Sequence, residues 1–473
     1  ARVITLGVIA CAAGLRLAAT WNDLWLDEIW TLTLVGTLHS PLGILTELRH
    51  DNNHVLNTLA LYCLRPLGSD WAYRLPSWLA GVATIALGAR IAAQGDGATP
   101  PIGTADASPG TRALLAAVVL GGSYPLVHYG SEARGYSISI AFGLAAVLVA
   151  FRDGLTPWSR RAPIAWVTLV LALLGHALAL HFLVALVAWA TAHVLRRDGF
   201  ARGLVTLAWW FVVPLAGFAS FYVGFLRGIT VGGGNREGVL PPLLRAIATT
   251  TGLPYDTPPA LLVGVVVVVL AAGIGWLVWR RSDAWIFYLV GIVGSPVLLG
   301  VLQPTDLYAE RYFLVSTTLL LLLTACLLAW ATTRGPGARV AVAIVLVAFL
   351  ASNGARIEWL LRDGRGAYQE ALQYMLRHTS GDVMTVASDH DFRNRLIVEY
   401  FAPRLAATKP IRYVRSGELG VPGPEWYLAH RPAGARSPTM LVTDRLGNRY
   451  RLETEYPSAP LSGWRWFVFR RVG

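Results

Sequence analysis

Long apolar stretches, separated by short polar ones, run through the first three quarters of the chain. Most of them approach the roughly 20 residues that a helix needs to cross a lipid bilayer. The pattern predicts about eleven membrane spans, which lie near 1–20, 72–94, 111–128, 136–151, 163–175, 177–195, 204–226, 260–279, 284–302, 312–331 and 339–353. No small-residue cleavage site follows the first run, so we expect a span there rather than a signal peptide.

The loops between the predicted spans alternate in character. One set is short and rich in arginine, as around Arg152, Arg196 and Arg280, which is typical of the cytoplasmic side. The other set is longer and mixes acids with aromatic residues, at 21–71, 129–135, 227–259, 303–311 and beyond 354. We therefore expect a multi-pass protein of the bacterial inner (plasma) membrane, with its C-terminal region in the periplasm or outside the cell.

The character of the sequence changes after Asn353, where charged residues, Pro, Gly and Tyr replace the apolar runs. Periodicity in this region predicts a helix over Tyr368–Arg377 and short strands at Val383–Ala387 and Trp466–Phe469. We expect two domains: a transmembrane domain over 1–353 and a small α/β domain, outside the cytoplasm, over 354–473.

Composition supports a polytopic α-helical membrane protein. Hydrophobic residues make up 55% of the chain, charged residues only 14%, and the mean hydropathy is +0.50, whereas a soluble domain is about 25% charged. The formal net charge of +12 comes almost entirely from arginines spread over the loops, so we expect no nucleic-acid partner. The three cysteines are far apart and indicate neither a disulfide framework nor a metal cluster.

Two adjacent acids, Asp27 and Glu28, follow the first predicted span among tryptophans. Carboxylates at a membrane boundary are costly to desolvate. One interpretation is an interfacial turn within the aromatic belt. The other is a catalytic site, in which Asp27 acts as a general base and Glu28 orients its neighbours.

A second polar stretch, His50–Asn57, lies between apolar segments of the same loop. A hydrogen-bonded loop would explain it, and so would the rim of an acceptor or sugar site, to which Asp51, Asn53, His54 and Asn57 would contribute. His50 and His54 are four residues apart and could share a metal ion, although no third ligand is evident. We assign no metal site, and a divalent ion stays an open alternative with no certain cofactor.

Arginines recur beside acids and tyrosines on the predicted outer face. Glu132, Arg134 and Tyr136 stand before one span, and Glu310, Arg311 and Tyr312 open another. Such arginines either extend toward lipid phosphate at the surface or offer two parallel hydrogen bonds to a bound phosphate. Arg74 is a third candidate, and His181 is either a satisfied core histidine or a partner for the phosphate.

Several soluble-enzyme motifs are absent: the sequence has no Walker A loop, no G-x-S-x-G, no H-E-x-x-H and no C-x-x-C. One D-x-D occurs, as Asp389-His390-Asp391. It could hold a metal ion, but we favour a solvated loop.

Taken in order, these motifs resemble those of the GT-C superfamily of polyprenyl-phosphate-sugar glycosyltransferases. The resemblance is strongest to the bacterial branch of protein O-mannosyltransferases and the lipid A aminoarabinose transferase. It rests on Leu26-Asp27-Glu28, on Asp51–Asn57, on Glu132–Ser137 and on Glu310-Arg311-Tyr312. The family's loop more often contains His-Pro-Pro, whereas this chain keeps His54 and Leu56 without a proline.

The resemblance implies a set of roles for these residues. Asp27 matches the loop aspartate that serves as catalytic base, with Glu28 as its companion. Arg134 and Arg311 match positions near the lipid-linked phosphate, and His181 lines the same cavity. The 227–259 loop, with Gly232-Gly233-Gly234, resembles a mobile outer loop that orders over substrate.

The sequence therefore predicts an inverting glycosyltransferase that moves a sugar from a polyprenyl-phosphate donor to a lipid, glycan or protein acceptor at the outer leaflet. Two alternatives stay open, a non-catalytic scaffold of a membrane assembly and a polytopic lipid or glycan transporter. The clustering of acids and arginines at one face rather than at the midplane disfavours a transporter.

Overall fold

The apolar runs of the sequence form helices in the structure, a computed structural model that describes residues 1–95, 106–232, 237–302, 307–405 and 409–472. The chain forms two compact units. The first contains Ala1–Leu17, Leu38–Leu64 and Ala72–Ala355, and the second contains Ala18–Thr37, Arg65–Trp71 and Arg356–Gly473. The division of the chain into domains at residue 353 stays a prediction.

Twenty α-helices occur in the described ranges. They are α1 Arg2–Ala18, α2 Leu26–Gly36, α3 Gly43–Thr46, α4 Val55–Leu64, α5 Asp70–Tyr73, α6 Leu75–Gln94, α7 Pro109–Gly122, α8 Tyr124–Tyr129, α9 Tyr136–Asp153, α10 Ala162–Gly175, α11 Leu180–Asp198, α12 Phe200–Gly224, α13 Leu240–Thr251, α14 Pro259–Trp279, α15 Ala284–Leu289, α16 Ser295–Leu302, α17 Leu314–Ala331, α18 Pro336–Asp363, α19 Tyr368–His378 and α20 Asp391–Leu405.

Eight helical segments of the described chain are long and apolar enough to cross a membrane. They are Leu75–Gln94, Tyr136–Asp153, Ala177–Asp198, Phe200–Gly228, Pro259–Trp279, Ala284–Val301, Glu310–Arg334 and Pro336–His378. The predicted multi-pass helical fold is confirmed, whereas the predicted number of about eleven spans is not.

The predicted span over 111–128 shows why the count differs. α7 ends at Gly122, and the separate helix α8 begins at Tyr124. Pro125 lies in the first turn of α8, where its missing N–H is tolerated; within a continuous helix its ring would clash with the carbonyl of Gly121. The resulting 14-residue helix α7 is about 21 Å long, short of the hydrocarbon thickness of about 30 Å.

Within the first unit, α6 packs against both α7 and α9, and α17 packs against α7. The core between them is aliphatic, with Leu120, Leu144, Leu319 and Leu322 fully buried. This packing places the short segment 130–135, between α8 and α9, beside the beginning of α6.

The second unit contains a six-stranded mixed sheet. Its strands are β1 Met384–Ser388, β2 Ile411–Tyr413, β3 Trp426–Arg431, β4 Leu441–Thr443, β5 Arg449–Tyr456 and β6 Arg465–Arg471. The spatial order is β2-β1-β3-β6-β5-β4, with β1 parallel to β2 and β3 and the remaining pairs antiparallel. The small C-terminal α/β region is thus confirmed, including the predicted helix α19 and strands β1 and β6.

The segment 18–37 belongs to this second unit through specific contacts. Arg365 donates a hydrogen bond of 3.1 Å to the side-chain oxygen of Asn22, and Asp23 accepts hydrogen bonds from the backbone and side chain of Gln369. Helix α2 packs against α20. These contacts place the predicted catalytic acids in the same compact unit as the sheet.

Candidate functional site

Two polar motifs that are far apart in sequence lie together in the first unit. The side chain of Asn57 donates a hydrogen bond of 2.8 Å to the carbonyl of Ala133, and the backbone N–H of Gly135 donates one of 2.9 Å to Nδ1 of His54. A Cβ at Gly135 would lie only 2.8 Å from the Cβ of His54, so glycine permits this approach. The loop 51–58 and the segment 131–136 therefore form one polar cluster.

Arg134 lies at the centre of this cluster and is only 3% exposed. Its guanidinium donates hydrogen bonds to the side-chain oxygen of Asn52 and, at 3.2 Å, to the hydroxyl of Tyr136. Its carbonyl accepts a hydrogen bond of 2.7 Å from Ser77 in the first turn of α6. The contacts with Asn52 and Tyr136 help to hold the guanidinium in one orientation.

Other predicted residues lie buried in the same unit. Glu132 is fully buried, and one of its carboxylate oxygens lies 3.9 Å from Nε2 of His128. Arg74 is also fully buried and immediately precedes α6. An arginine that extends to lipid headgroups keeps its charged end in contact with water or lipid phosphate. The full burial of Arg74 therefore does not fit that interpretation.

An aromatic group closes one side of the cluster. The rings of His54, Tyr136 and His176 contact one another, with centroids 4.5 Å apart for His54 and His176 and 4.6 Å apart for Tyr136 and His176. Burial, together with the charges of Arg134 and Arg311, holds the pKa of His54 well below its usual range and lowers the pKa of His176 to about 3. Both imidazoles are therefore neutral near pH 7.

Arg311 adds a second positive charge to this region, because its charge acts on His54 and His176. Its guanidinium carbon lies 5.7 Å from the ring centre of Tyr312, a distance typical of a cation–π contact. The neighbouring Glu310 forms an ion pair with Arg245 on α13, and Arg245 also binds Glu237 at 2.7 Å. Of the three predicted residues here, Arg311 thus contacts the ring of Tyr312, and Glu310 pairs with Arg245.

Several buried polar atoms around the cluster have no hydrogen-bond partner within the described residues. They are Oδ1 of Asn53, Oδ1 of Asn57, Oγ1 of Thr58 and Nδ1 of His181. Leaving a buried polar atom unpaired costs about 1–3 kcal/mol. Their concentration indicates a place for a polar ligand or ordered water, and it argues against His181 as a satisfied core histidine.

The two histidines of the loop do not lie on one helical face. His50 contacts Asp51 at 2.6 Å and pairs with Thr230 in an isolated bridge, whereas His54 immediately precedes α4. Among the described residues, no three His, Cys, Asp or Glu side chains are grouped as metal ligands. Of the predicted glycine run, Gly233 and Gly234 lie outside the described residues.

Asp27 and Glu28 occupy the first turn of α2 in the second unit. Glu28 is fully buried and accepts a hydrogen bond of 3.1 Å from the backbone N–H of Trp25, which caps the helix. Asp27 is partly exposed, and its charge acts on Arg393 of α20. The two adjacent acids therefore have different environments: one caps the helix and the other is accessible.

The two carboxylates of the D-x-D motif diverge. Asp389 contacts His430 at 2.7 Å and Arg431 at 2.9 Å, whereas Asp391 accepts hydrogen bonds from Tyr413 and from the backbone of Ser416. Burial raises the pKa of Asp389, but the hydrogen bonds outweigh it and the net pKa lies below the usual value. The two carboxylates have different partners and do not converge on a common point.

Sequence reasoning missed three residues of these networks. His176 joins the aromatic group from a turn between α10 and α11, and Arg245 and Arg393 contact or approach predicted acids. His176 follows an apolar run directly, so a polar residue at the end of a span was its only available signal. No local pattern marks the two arginines.

Both the fold and the buried polar cluster define a class: a multi-pass membrane protein with charged groups at the ends of its helices and a small α/β unit. Comparison with solved structures identifies ArnT from Cupriavidus metallidurans in the apo state, with a TM-score of 0.51, 11% sequence identity and coverage of 98% of this chain and 97% of that chain. ArnT from the same organism bound to undecaprenyl phosphate aligns with a TM-score of 0.48 and 13% identity, over 100% of this chain and 98% of that chain.

The chain thus has the fold of this ArnT structure, in agreement with the fold that the resemblance found in the sequence implies. No protein-family model matches the chain. No curated protein sequence matches it either.

Proposed function

We propose that the protein is a membrane glycosyltransferase that moves a sugar from a polyprenyl-phosphate donor to an acceptor. One observation carries the proposal most: a buried guanidinium, Arg134, is oriented by Asn52 and Tyr136 inside a cluster that contains unpaired polar atoms. A GT-C fold supplies the setting. A polyprenyl-phosphate donor follows from the sequence motifs that resemble this superfamily.

Arg134 and Arg311 bind the donor phosphate in this proposal. A guanidinium that is held in one orientation can offer two parallel N–H groups to phosphate oxygens. In the reaction, these charges stabilise the departing phosphate as its negative charge increases. Tyr136 and Tyr312 hold the guanidiniums by hydrogen bond or ring contact, and the buried Arg74, Glu132 and His181 complete the polar lining.

The loop 51–58 binds the sugar or the acceptor. Its unpaired oxygens, on Asn53, Asn57 and Thr58, are acceptors that hydroxyl groups can satisfy. His54 stays neutral, so its ring presents an uncharged face beside Tyr136. Asp51, paired with His50, provides a further acceptor. Glu310 supports Arg311 through its pair with Arg245.

Asp27 acts as the general base. It accepts a proton from the acceptor's hydroxyl or amine while the oxygen or nitrogen of that group attacks the anomeric carbon. The bond between the anomeric carbon and the phosphate oxygen breaks in the same step. The products are the glycosylated acceptor and free polyprenyl phosphate. One displacement inverts the anomeric centre, and phosphate leaves without needing an added proton. Glu28 holds the turn that carries Asp27 through its bond to Trp25.

The location follows from the loop charges of the sequence. Arginine-rich loops on the cytoplasmic side place the C-terminal unit in the periplasm or outside the cell. The acceptor in this proposal is then a lipid, glycan or protein at the outer leaflet. The protein itself would then lie in the inner (plasma) membrane.

The test is a turnover assay of purified protein in nanodiscs with a panel of synthetic undecaprenyl-phosphate hexoses and pentoses. Mass spectrometry follows the release of free undecaprenyl phosphate after adding an extract of envelope lipids and glycans. We expect release from at least one donor and none from the Asp27→Asn variant. Binding of every donor without release would instead support a scaffold or a transporter.

A further inference from the structure

A second polar network lies in the C-terminal unit. Asp389 follows β1, His430 lies on β3 and Arg393 on α20. Nδ1 of His430 lies 2.7 Å from one oxygen of Asp389, and Nε2 of His430 lies 3.0 Å from Nη1 of Arg393. The three side chains form a continuous chain from carboxylate through imidazole to guanidinium.

The directions of these hydrogen bonds are set by chemistry. A guanidinium has only donors, so Nε2 of His430 must accept from Arg393. The other ring nitrogen, Nδ1, then carries the proton and donates it to Asp389. The backbone N–H of His430 donates to the second oxygen of Asp389 at 3.2 Å. A carboxylate that orients an imidazole in this way fixes its tautomer and its ring plane.

Arg393 is held on a second side by an aromatic ring. Its guanidinium carbon lies 4.7 Å from the ring centre of Trp464, and the ring of Trp464 also contacts His430. Burial lowers the pKa of Arg393, and the negative charges of Asp389 and Asp27 oppose that effect. Two carboxylates thus act on one guanidinium.

Helix packing places α2, which carries Asp27, against α20, which carries Arg393. Trp30, three residues after Asp27, packs its ring edge-on to Phe392 with centroids 5.0 Å apart. Residues three apart share one face of a helix, so Asp27 and Trp30 both lie on the face of α2 that meets α20. Phe392 immediately precedes Arg393.

We propose that Arg393 is a positioning residue for Asp27, and that Asp389, through His430, orients Arg393 to fix the direction of the Asp27 carboxylate. The catalytic part of this inference rests on the proposed function, in which Asp27 is the general base. Other charged and titratable groups lie near Asp27 and Arg393 in the chain or in the network. On the side of α2 they are Asp23 and Glu28. On the side of the sheet they are Asp389 and His390 after β1, and His430 and Arg431 on β3.

Chemical labelling tests the pairing without any assay of turnover. Carbodiimides react with carboxyl groups, and a carboxylate that is held by a guanidinium is less available to them than one without that contact. In the full-length protein, labelling of Asp27 with a carbodiimide and glycine ethyl ester is followed by peptide mass spectrometry at pH 6. We expect Arg393→Gln to raise the labelling rate of Asp27 at least about threefold, His430→Gln to raise it less, and Arg393→Lys to stay near wild type.

Arg431→Gln is the matched control. Arg431 binds the same carboxylate, Asp389, but through its other oxygen, and its side chain is 40% exposed. Its loss removes one positive charge from the same region without removing the contact to His430. We expect no change in the labelling of Asp27 in this variant. Equal labelling of Asp27 in wild type and Arg393→Gln would overturn the inference.

Turnover gives the second readout. Arg393→Gln should lower kcat at least tenfold with the KM for the donor unchanged, and Arg393→Lys should restore much of kcat. An arginine that only stabilised the fold would lower the apparent kcat through the fraction of folded protein, so turnover is expressed per molecule that binds donor, and lysine would not restore the loss. Loss of turnover in every variant, control included, would contradict the inference. A wild-type protein without turnover would remove the proposed function and leave the labelling result to decide the pairing.

Discussion

The buried guanidinium of Arg134 donates a hydrogen bond to the side chain of Asn52, 82 residues earlier in the chain. This contact joins the two polar motifs of the first unit and gives the guanidinium a fixed direction. In the proposed function, the binding of phosphate by Arg134 depends on the orientation of the guanidinium more than on its charge alone.

Asn52→Ala should therefore weaken the use of the donor. A hydrogen bond to a charged group is worth about 1.5–3 kcal/mol, so we expect kcat/KM for the donor to fall roughly 10- to 100-fold. The measurement is a double-mutant cycle with Arg134→Gln. The effect of Asn52→Ala should nearly vanish when Arg134 is absent; full additivity would show that the two residues act independently.

Substitutions of the two adjacent acids, Asp27 and Glu28, should have different effects on turnover. Glu28→Gln keeps an oxygen that can accept from Trp25, so turnover should stay within a fewfold of wild type. Glu28→Ala removes the cap and should lower the free energy of unfolding by about 1 kcal/mol. Thermal unfolding and donor turnover, measured on both variants, check this. A Glu28→Gln protein as inactive as Asp27→Asn would give Glu28 a direct role in the chemistry.

The pair of Arg245 and Glu310 should be coupled energetically. Their side chains are 34% and 19% exposed, and ion pairs that water still reaches typically contribute up to about 1 kcal/mol. We expect Arg245→Gln and Glu310→Gln each to weaken donor binding, with a coupling energy of about 0.5–1 kcal/mol in a double-mutant cycle. Arg196→Gln, which removes an exposed pair with Asp283 elsewhere in the unit, is the matched control and should leave donor binding unchanged.

The pKa of Asp389 makes the stability of the C-terminal unit depend on pH. Burial raises this pKa, but bonds from His430 and Arg431 lower it below the unfolded value of about 3.9. The contribution of Asp389 is therefore fully present above about pH 4 and is lost as the pH falls through the folded pKa. The unfolding temperatures of wild type and Asp389→Asn should differ at pH 7, and the difference should shrink as the pH falls below the usual pKa of an aspartate. A constant difference at every pH would contradict this assignment.

Sequence patterns predicted the helical membrane fold because apolar length is a local property. Helix ends were harder, as at Gly122, where a proline three residues later separates two short helices. The polar motifs at 51–57 and 132–136 were recognised as candidates from their composition. Their hydrogen bonds were not predictable, because Asn52 and Arg134 meet only through packing of the first unit.

Other contacts had no signal in the sequence. Glu310 pairs with Arg245, 65 residues away, on a helix that the sequence analysis treated as loop. The sequence of the D-x-D motif allowed either a shared metal site or the solvated loop that we favoured. In the structure Asp391 already begins α20, so the two side chains point to different partners.

One comparison separates binding from chemistry and tests the central claim most directly. Wild type, Arg134→Gln and Asp27→Asn are measured side by side for bound undecaprenyl-phosphate sugar, by native mass spectrometry, and for released undecaprenyl phosphate. We predict that Asp27→Asn binds donor as wild type does but releases nothing, whereas Arg134→Gln binds donor much more weakly. Release by Asp27→Asn at the wild-type rate, or donor binding that is unchanged in Arg134→Gln, would contradict the account.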